Sequence, residues 1–182
     1  MRHIRHRAAL AAIAAGLFCT PGVARAQACT ANGAPANCNR TGSVTMTAGR
    51  VVQLLMAPTS TTLTNPAPAD FDAGFNATTG PTLTMRSNAA WTLHIRSGAA
   101  LWTATNTSPG APARTTKPAA DLKWSTASNG TFSALTTTDV NLVTGAATAG
   151  SVTTLYFQTL YGWTLDTPGN YSLPVVLTLT SP

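Results

Sequence analysis

Side chains that could act as an acid, a base or a nucleophile in catalysis are scarce in this chain. The sequence contains three histidines and five acidic residues, and every acidic residue is an aspartate. After residue 26 the remaining histidine is His94, which lies on the polar face of an alternating strand pattern. General acid–base catalysis needs a titratable side chain within hydrogen-bond reach of the reacting atom. We interpret His94 as a solvated strand residue, and we expect no cofactor and no metal site.

The aspartates do not form a recognisable catalytic pair. Asp70 and Asp72 are two residues apart in a Pro- and Gly-rich connection, which indicates loop polarity or a cation contact. Asp121, Asp139 and Asp166 stand at strand or turn boundaries, where aspartate often bonds the local backbone. No GxSxG, HExxH, P-loop or EF-hand pattern occurs in the sequence. The sequence therefore predicts a protein that is not an enzyme.

The first 26 residues have the order of a secretory signal peptide. A basic head precedes a short apolar run, and residues 24–26 form the small-x-small pattern that signal peptidase recognises. The apolar run is too short to cross a bilayer, and no later stretch approaches the length that crossing requires. We expect cleavage between Ala26 and Gln27, and an exported protein that is extracellular or periplasmic, associated with the cell surface and without a membrane span.

Removal of the signal peptide also removes most of the positive charge. The full chain has a formal net charge of +6, whereas residues 27–182 contain seven Lys and Arg against five Asp, a net charge of +2. No basic cluster remains that could neutralise several phosphates at once, which argues against nucleic-acid binding. About a fifth of these residues are Thr, a β-branched residue that suits a half-buried sheet surface. The composition therefore favours an all-β body.

Cys29 and Cys38 are the two cysteines that remain after cleavage, and they flank a turn-rich stretch. In an exported protein such a close pair predicts a disulfide. The chain-entropy model gives a loop of this length about 2.5–3 kcal/mol. Acylation of Cys29, which follows a small residue, is the alternative. We predict an N-terminal arm over residues 27–41 and one β domain over residues 42–182.

Alternation of apolar and polar residues with a period of two dominates the β domain and predicts eight to ten short strands. Strands at this spacing are typical of a single antiparallel β-sandwich, in a broad sense Ig-like. Residues 59–69 and 70–81 are rich in Thr, Pro and Gly and are predicted as irregular connections. The predicted strand segments are 43–47, 50–56, 82–86, 91–96, 101–103, 122–124, 132–135, 140–143, 152–161 and 171–179.

Two of these segments lead to more specific expectations. Residues 82–86 and 91–96 flank the polar pair Ser87-Asn88, which predicts a hairpin. In the final segment Pro174 lies on the face opposite to the apolar residues. Because proline cannot donate to a β ladder, we expect that strand at a sheet edge.

The aromatic side chains allow two interpretations. Trp91 and Tyr171 lie in register with apolar residues of their own strands, which predicts core packing. Trp102 and Trp163 are the expected exposed exceptions, and an exposed indole can stack on a sugar ring. These two residues are therefore candidate glycan contacts.

Short motifs resemble two kinds of bacterial surface protein. Trp91-Thr92-Leu93 and Trp163-Thr164-Leu165, the latter followed by Asp166 and Pro168, resemble the paired motifs of WxL-type cell-surface domains. The chain continues through another strand where that family usually ends. Its ending, residues 168–182, resembles the closing strands of secreted pilin-like subunits of the spore-coat-U type. The first resemblance implies non-covalent attachment to the cell wall, and the second implies assembly of subunits by strand addition.

Taken together, the sequence predicts a secreted or envelope-exposed structural or adhesive protein of a bacterium. The expected partners are further copies of the chain, paired through main-chain hydrogen bonds at an edge, or cell-wall polysaccharide. The final strand, residues 171–180, and the N-terminal arm are the expected contacts for self-assembly. A carbohydrate- or peptidoglycan-binding module that uses exposed aromatics is the alternative function.

Overall fold

The computed structural model describes residues 29–106 and 112–182. The signal peptide and its cleavage site between Ala26 and Gln27 lie outside the described residues. The chain divides into two compact units between Met46 and Thr47, against a boundary predicted at residue 42. The first unit contributes the N-terminal arm, and the second contains every strand that the structure describes.

The regular secondary structure described in the second unit is almost entirely β-strand, which confirms the predicted all-β class. One short helix, α1, spans Pro68–Ala73, and a single 3-10 turn spans Ala119–Asp121. The strands are β1 Val52–Ala57, β2 Phe75–Ser87, β3 Trp91–Ser97, β4 Thr103–Asn106, β5 Leu122–Ser125, β6 Ser133–Ala134, β7 Val140–Gly145, β8 Thr148–Leu160, β9 Gly169–Ser172 and β10 Val175–Thr180.

The strands form an antiparallel sandwich. One sheet has the order β1-β2-β8-β5-β6 and the other has the order β10-β3-β7, while β4 and β9 pair as a separate ribbon. Every pairing within these sheets is antiparallel. Since β1 and β10 each stand at the end of a sheet, each carries a row of main-chain N–H and C=O groups that no neighbouring strand of its sheet pairs.

The core is filled by alternate residues of the long central strands. Leu83 and Met85 of β2, Leu93 and Ile95 of β3 and Leu155 of β8 are all 0% exposed. Successive side chains of a strand point to opposite faces, so the period-two pattern seen in the sequence directly selects these residues. Buried apolar area of this kind is the main favourable term in folding.

The predicted hairpin between residues 82–86 and 91–96 is wrong. β2 pairs with β1 and β8 in one sheet, whereas β3 pairs with β10 and β7 in the other. The Ser87 hydroxyl donates to the Ala89 carbonyl at 2.7 Å and turns the chain across to the opposite sheet. The alternation of apolar and polar residues shows which face of a strand is buried. It does not show whether the next strand lies in the same sheet or in the opposite sheet.

Helix α1 and the first half of β2 replace the irregular connection that was predicted over residues 70–81. Pro68 stands at the start of α1, where its missing N–H costs no hydrogen bond. The Asp70 carboxylate accepts a hydrogen bond from the Ala67 N–H at 2.7 Å. Gly74 ends the helix in the left-handed conformation, with φ of 79°, which favours glycine.

The final segment is divided into β9 and β10 by Leu173 and Pro174 rather than forming one strand. β10 stands at the edge of its sheet, as the position of Pro174 predicted. The strand breaks at Pro174 because proline lacks the N–H that a continuous ladder would need. The same property led to the expectation of an edge strand.

The N-terminal arm contains the predicted disulfide between Cys29 and Cys38, whose Cα atoms are 6.0 Å apart. The disulfide uses the Cys29 sulfur, so acylation at this residue does not describe this form of the protein. The strand predicted at residues 43–47 is wrong, because the segment pairs with no strand of the described chain. Val44 is 99% exposed and Met46 is 88% exposed.

Candidate functional site

An apolar cavity, which we call the seam, lies where the end of β1 and the loop over residues 58–66 face the segment 166–177, which contains β9 and the start of β10. Its volume is about 830 Å³. Met56 of β1 and Leu63 of the following loop line one side, and Val175 and Leu177 of β10 line the other. Both bordering strands are sheet edges, so the seam combines apolar side chains with unpaired main-chain groups.

The side chains that line the seam are only half-buried, although they point toward the core. Met56 and Leu63 on one side, and Val175 and Leu177 on the other, pack against the buried core without being covered by it. Each therefore keeps apolar surface in contact with water. Covering apolar surface stabilises by about 25 cal/mol per Å², so the seam favours a ligand that offers apolar side chains.

The floor of the seam is fully packed. Leu155 and Phe157 of β8 and Leu122 of β5 are at most 5% exposed and line its base. Gly80 in β2 allows this packing, because a Cβ atom at that position would lie 2.6 Å from the Phe157 ring. The register of β2 against β8 shifts between Thr79 and Thr82, which marks a bulge at the same place.

A buried cluster of four charged side chains closes one end of the seam. Lys117 Nζ lies 2.8 Å from Asp166 Oδ1 and 3.4 Å from Asp121 Oδ2, and Arg114 contacts both carboxylates. The side chains of Lys117 and Asp166 are 3% and 7% exposed. Lys117 also donates to the Leu160 carbonyl at 2.8 Å. Two positive and two negative charges balance in the cluster, which satisfies the condition under which buried charge is tolerated.

Tyr161 lies beside this cluster and also lines the seam. Burial raises the pKa of its phenol above the ordinary value; a hydrogen bond with Thr159 opposes the rise, and the charges of Asp166 and Asp70 add to it. The phenol is therefore neutral at physiological pH. The seam offers no ionised group beyond the Lys117–Asp166 pair among the residues described as lining it.

Of the titratable residues singled out by the sequence, Asp121 and Asp166 meet in the charged cluster, where ion pairs with Lys117 and Arg114 occupy both carboxylates. His94 Nε2 lies 3.5 Å from the Thr180 hydroxyl on the outside of the three-stranded sheet. Asp139 forms an exposed ion pair with Arg96 at 3.5 Å. In residues 29–106 and 112–182, no three His, Cys, Asp or Glu side chains are grouped closely enough to hold a metal ion.

The two candidate glycan contacts have different surroundings, and the expected exposure of Trp102 is wrong. Trp102 is 5% exposed and its indole N–H donates to the Pro118 carbonyl at 3.1 Å. The cause is the segment at Lys117 and Pro118, which bridges to Leu101 and covers the ring. Trp91, by contrast, is 3% exposed, as the core interpretation predicted.

Trp163 is 60% exposed and lies against α1. Its ring stacks on Phe71, with ring centroids 4.7 Å apart and an interplanar angle of 28°. Its indole N–H donates to Asp72 Oδ1 at 2.9 Å. Sequence reasoning found Trp163 but missed its partners, since α1 was predicted as a loop.

The charged cluster was also missed, because Lys117 and Asp166 are far apart in sequence and belong to different loops. A signal was available in the composition, since a chain with so few charges has few ways to place a lysine beside an aspartate. That signal does not identify which of the five aspartates is the partner. Only the fold brings Lys117, Asp121 and Asp166 to one point.

Comparison with models of known protein families and with curated proteins finds no match for this chain. The resemblances drawn from the Trp-x-Leu motifs and from residues 168–182 therefore stay predictions. The structure places one Trp-x-Leu motif in the buried strand β3 and the other on an exposed turn. Among the helices of the described residues, none has the length and apolar character needed to span a bilayer.

Proposed function

We propose that this chain is a non-catalytic structural subunit of the bacterial cell envelope or extracellular space that associates with further copies by strand addition. The observation that carries the proposal is the seam, an apolar cavity bordered by two sheet edges. An added strand would pair its main chain with an edge and insert alternate side chains into the cavity. Export is supported by the signal-like first 26 residues and by the disulfide.

The N-terminal arm of a second copy, together with residues 42–48 that follow it, is the donor that best matches the seam. Residues 42–48 contain no charge and carry Val44 and Met46 two positions apart, so in a strand both side chains share one face. The lining residues of the seam repeat with the same spacing, at Val175 and Leu177 of β10. The segment and the groove therefore match. Neither carries a net charge, and in both the apolar side chains recur at every second residue.

The residues directly before β1 are held to the sandwich by one side chain. Asn88 Oδ1 accepts from the Val51 N–H at 2.8 Å, and Asn88 Nδ2 donates to the Gly49 carbonyl at 2.8 Å. These two bonds fix the backbone of residues 49–51, directly before β1. Residues 42–48 pair with no strand of the described chain, and an open sheet edge in another copy is a template on which such a segment can pair.

The final strand has a defined role in this proposal. Of the two contacts expected from the sequence, β10 is the acceptor edge and the arm is the donor. Attachment to cell-wall polysaccharide, the other proposed route to the surface, does not require the seam.

The proposal is tested by mixing two variants of the exported protein that each add one cysteine to the Cys29–Cys38 pair, Val44→Cys and Leu177→Cys, under mild oxidation. Side chains that face each other at non-hydrogen-bonded positions of neighbouring antiparallel strands have Cβ atoms about 4.5 Å apart, at the upper end of the range that a disulfide spans. We expect a mixed dimer that accumulates faster than with the matched control Thr45→Cys, whose side chain points to the other face. Met46→Cys with Val175→Cys tests the next facing pair of the same antiparallel register.

Two results would contradict the proposal. One is mixed-dimer formation that is no faster with Val44→Cys or Met46→Cys than with Thr45→Cys. The other is a wild-type protein that stays strictly monomeric by light scattering at high concentration and forms no filaments.

A further inference from the structure

The turn that carries Trp163 presents a fixed and exposed indole. Phe71 covers one face of the ring and the Asp72 carboxylate holds its N–H. Trp163 is nevertheless 60% exposed, so a ligand can reach the face of the ring that Phe71 does not cover. A large apolar side chain in water is normally free to reorient, whereas this one is held in a single orientation before any ligand arrives.

We propose that this platform binds a neutral pyranose ring of a polysaccharide. One face of a pyranose ring presents C–H groups and its rim presents hydroxyls, so it can stack on the free face of Trp163 while a hydroxyl donates to Asp72. Asp72 Oδ1 already accepts from the indole, and the described residues provide no other hydrogen-bond or ion-pair partner for this carboxylate. Apolar contact combined with a few placed polar groups is the usual chemistry of a small-ligand site.

The same turn is unsuited to strand addition, which distinguishes it from the seam. Its main chain is already paired: Leu165 N–H and Asp166 N–H both donate to the Gly162 carbonyl, at 3.0 and 2.9 Å. Gly162 N–H donates to Asp166 Oδ2 at 2.9 Å. A partner at this place therefore meets side chains rather than an open ladder.

A quaternary ammonium ligand also fits the surface less well than a sugar does. Recognition of such cations uses several aromatic faces that converge into a cage. Here Phe71 is stacked directly on Trp163, and the ring of Tyr161 is tilted by 47° against Phe71 with centroids 5.5 Å apart. These rings pack on one another and leave one flat face open, which matches a flat ring.

Saccharide binding at Trp163 does not depend on strand addition at the seam. Phe71 is shared, since it also lines the seam, but Trp163 and Asp72 lie outside the seam lining. The two activities can therefore be separated by mutation.

The test is isothermal titration of the exported protein with cellotetraose, chitotetraose and maltotetraose. We expect saturable binding of at least one, and Trp163→Ala should weaken it about tenfold or more, the loss expected for one stacked aromatic contact. Asp72→Ala should weaken the same binding, because it removes both the hydroxyl acceptor and the bond that orients the ring. Leu165→Ala, an exposed neighbour at 58%, is the matched control and should bind as the wild type does.

The proposal fails if none of the three oligosaccharides binds saturably at millimolar concentration. It also fails if Trp163→Ala binds as well as the wild type, or if Leu165→Ala is equally impaired. Binding of tetramethylammonium without binding of the sugars would overturn it in favour of a cation. Thermal unfolding shows whether each variant is folded, and if Trp163→Ala is not, Asp72→Ala decides.

Discussion

β3 and β10 are neighbours in the same sheet, yet they bury their apolar side chains to very different degrees. On β3, Leu93 and Ile95 are 0% exposed. Their counterparts across the ladder, Leu179 and Leu177, are only half-buried. The two strands have similar alternation and face the same opposing sheet, so composition does not explain the difference.

Position in the sheet explains it. β3 has a strand on each side, β10 and β7, whereas β10 has a neighbour on one side alone. A side chain on an edge strand is covered from above by the opposite sheet but stays open at its flank. β1 is in the same situation in the other sheet, and the seam is the space where these two open flanks meet.

The comparison indicates what kind of partner would complete the core. A loop or helix could cover the apolar side chains, but it would leave the main-chain groups of both edges without partners. An added strand satisfies both requirements, since it supplies a ladder and alternate side chains together. The same comparison predicts which substitutions affect folding and which affect association.

The largest loss of folding stability is expected on β3, where the core is fully packed. Leu93→Ala should lower the free energy of unfolding by about 3–4 kcal/mol, because it removes buried methyl groups and leaves a cavity between packed neighbours. Urea unfolding followed by Trp fluorescence measures this loss. A loss below 1 kcal/mol would show that β3 is no better packed than β10.

The charged cluster should give the next largest effect, because it closes one end of the seam with buried side chains. Lys117→Met removes one partner of a buried pair and should cost about 3 kcal/mol, since Asp166 and Asp121 then share Arg114 alone. The matched control is Lys123→Met on β5, a half-buried lysine for which the described chain shows no ion pair. Equal destabilisation by Lys117→Met and Lys123→Met would show that the charged cluster does not specifically stabilise this end of the seam.

Gly145, which lies on β7 against the buried Trp91 of β3, gives a smaller effect. Trp91 donates its indole N–H to the Ala146 carbonyl at 2.7 Å, and a Cβ atom at Gly145 would lie 2.5 Å from the indole ring. Gly145→Ala should therefore destabilise by about 1–3 kcal/mol through overpacking. Gly150→Ala, where a Cβ meets nothing within 4 Å, is the control, and unfolding midpoints compare the two.

The sequence could predict which face of a strand is buried, but not which strands pair with each other. Alternation at residues 91–95 and 175–179 correctly placed apolar side chains inward, and Pro174 correctly placed β10 at an edge. The same alternation at Val44 and Met46 predicted a strand that finds no pairing within the described chain. Pairing depends on where a second strand lies, and the residue pattern of one segment does not carry that information.

The candidate site was predictable only in part, for a related reason. Trp102 and Trp163 have similar local sequences, with a leucine nearby and a threonine following. One is covered by a segment at Lys117 and the other rests on α1 with a face in water. Tertiary contacts with distant residues decide exposure at both positions, so local pattern alone could not separate them.

The smallest effect on stability is expected at the seam, and there it should accompany the largest effect on association. Leu177→Ala removes side-chain atoms that are half-exposed and already border a cavity, so the loss should be about 1 kcal/mol or less. The same variant removes the apolar contact that an inserted strand would make, so self-association measured by sedimentation should be lost. Thr178→Ala on the outer face is the matched control and should change neither quantity. A Leu177→Ala variant destabilised as strongly as Leu93→Ala would mean that β10 is already covered, and the distinction between the complete and the open side of the sandwich would not hold.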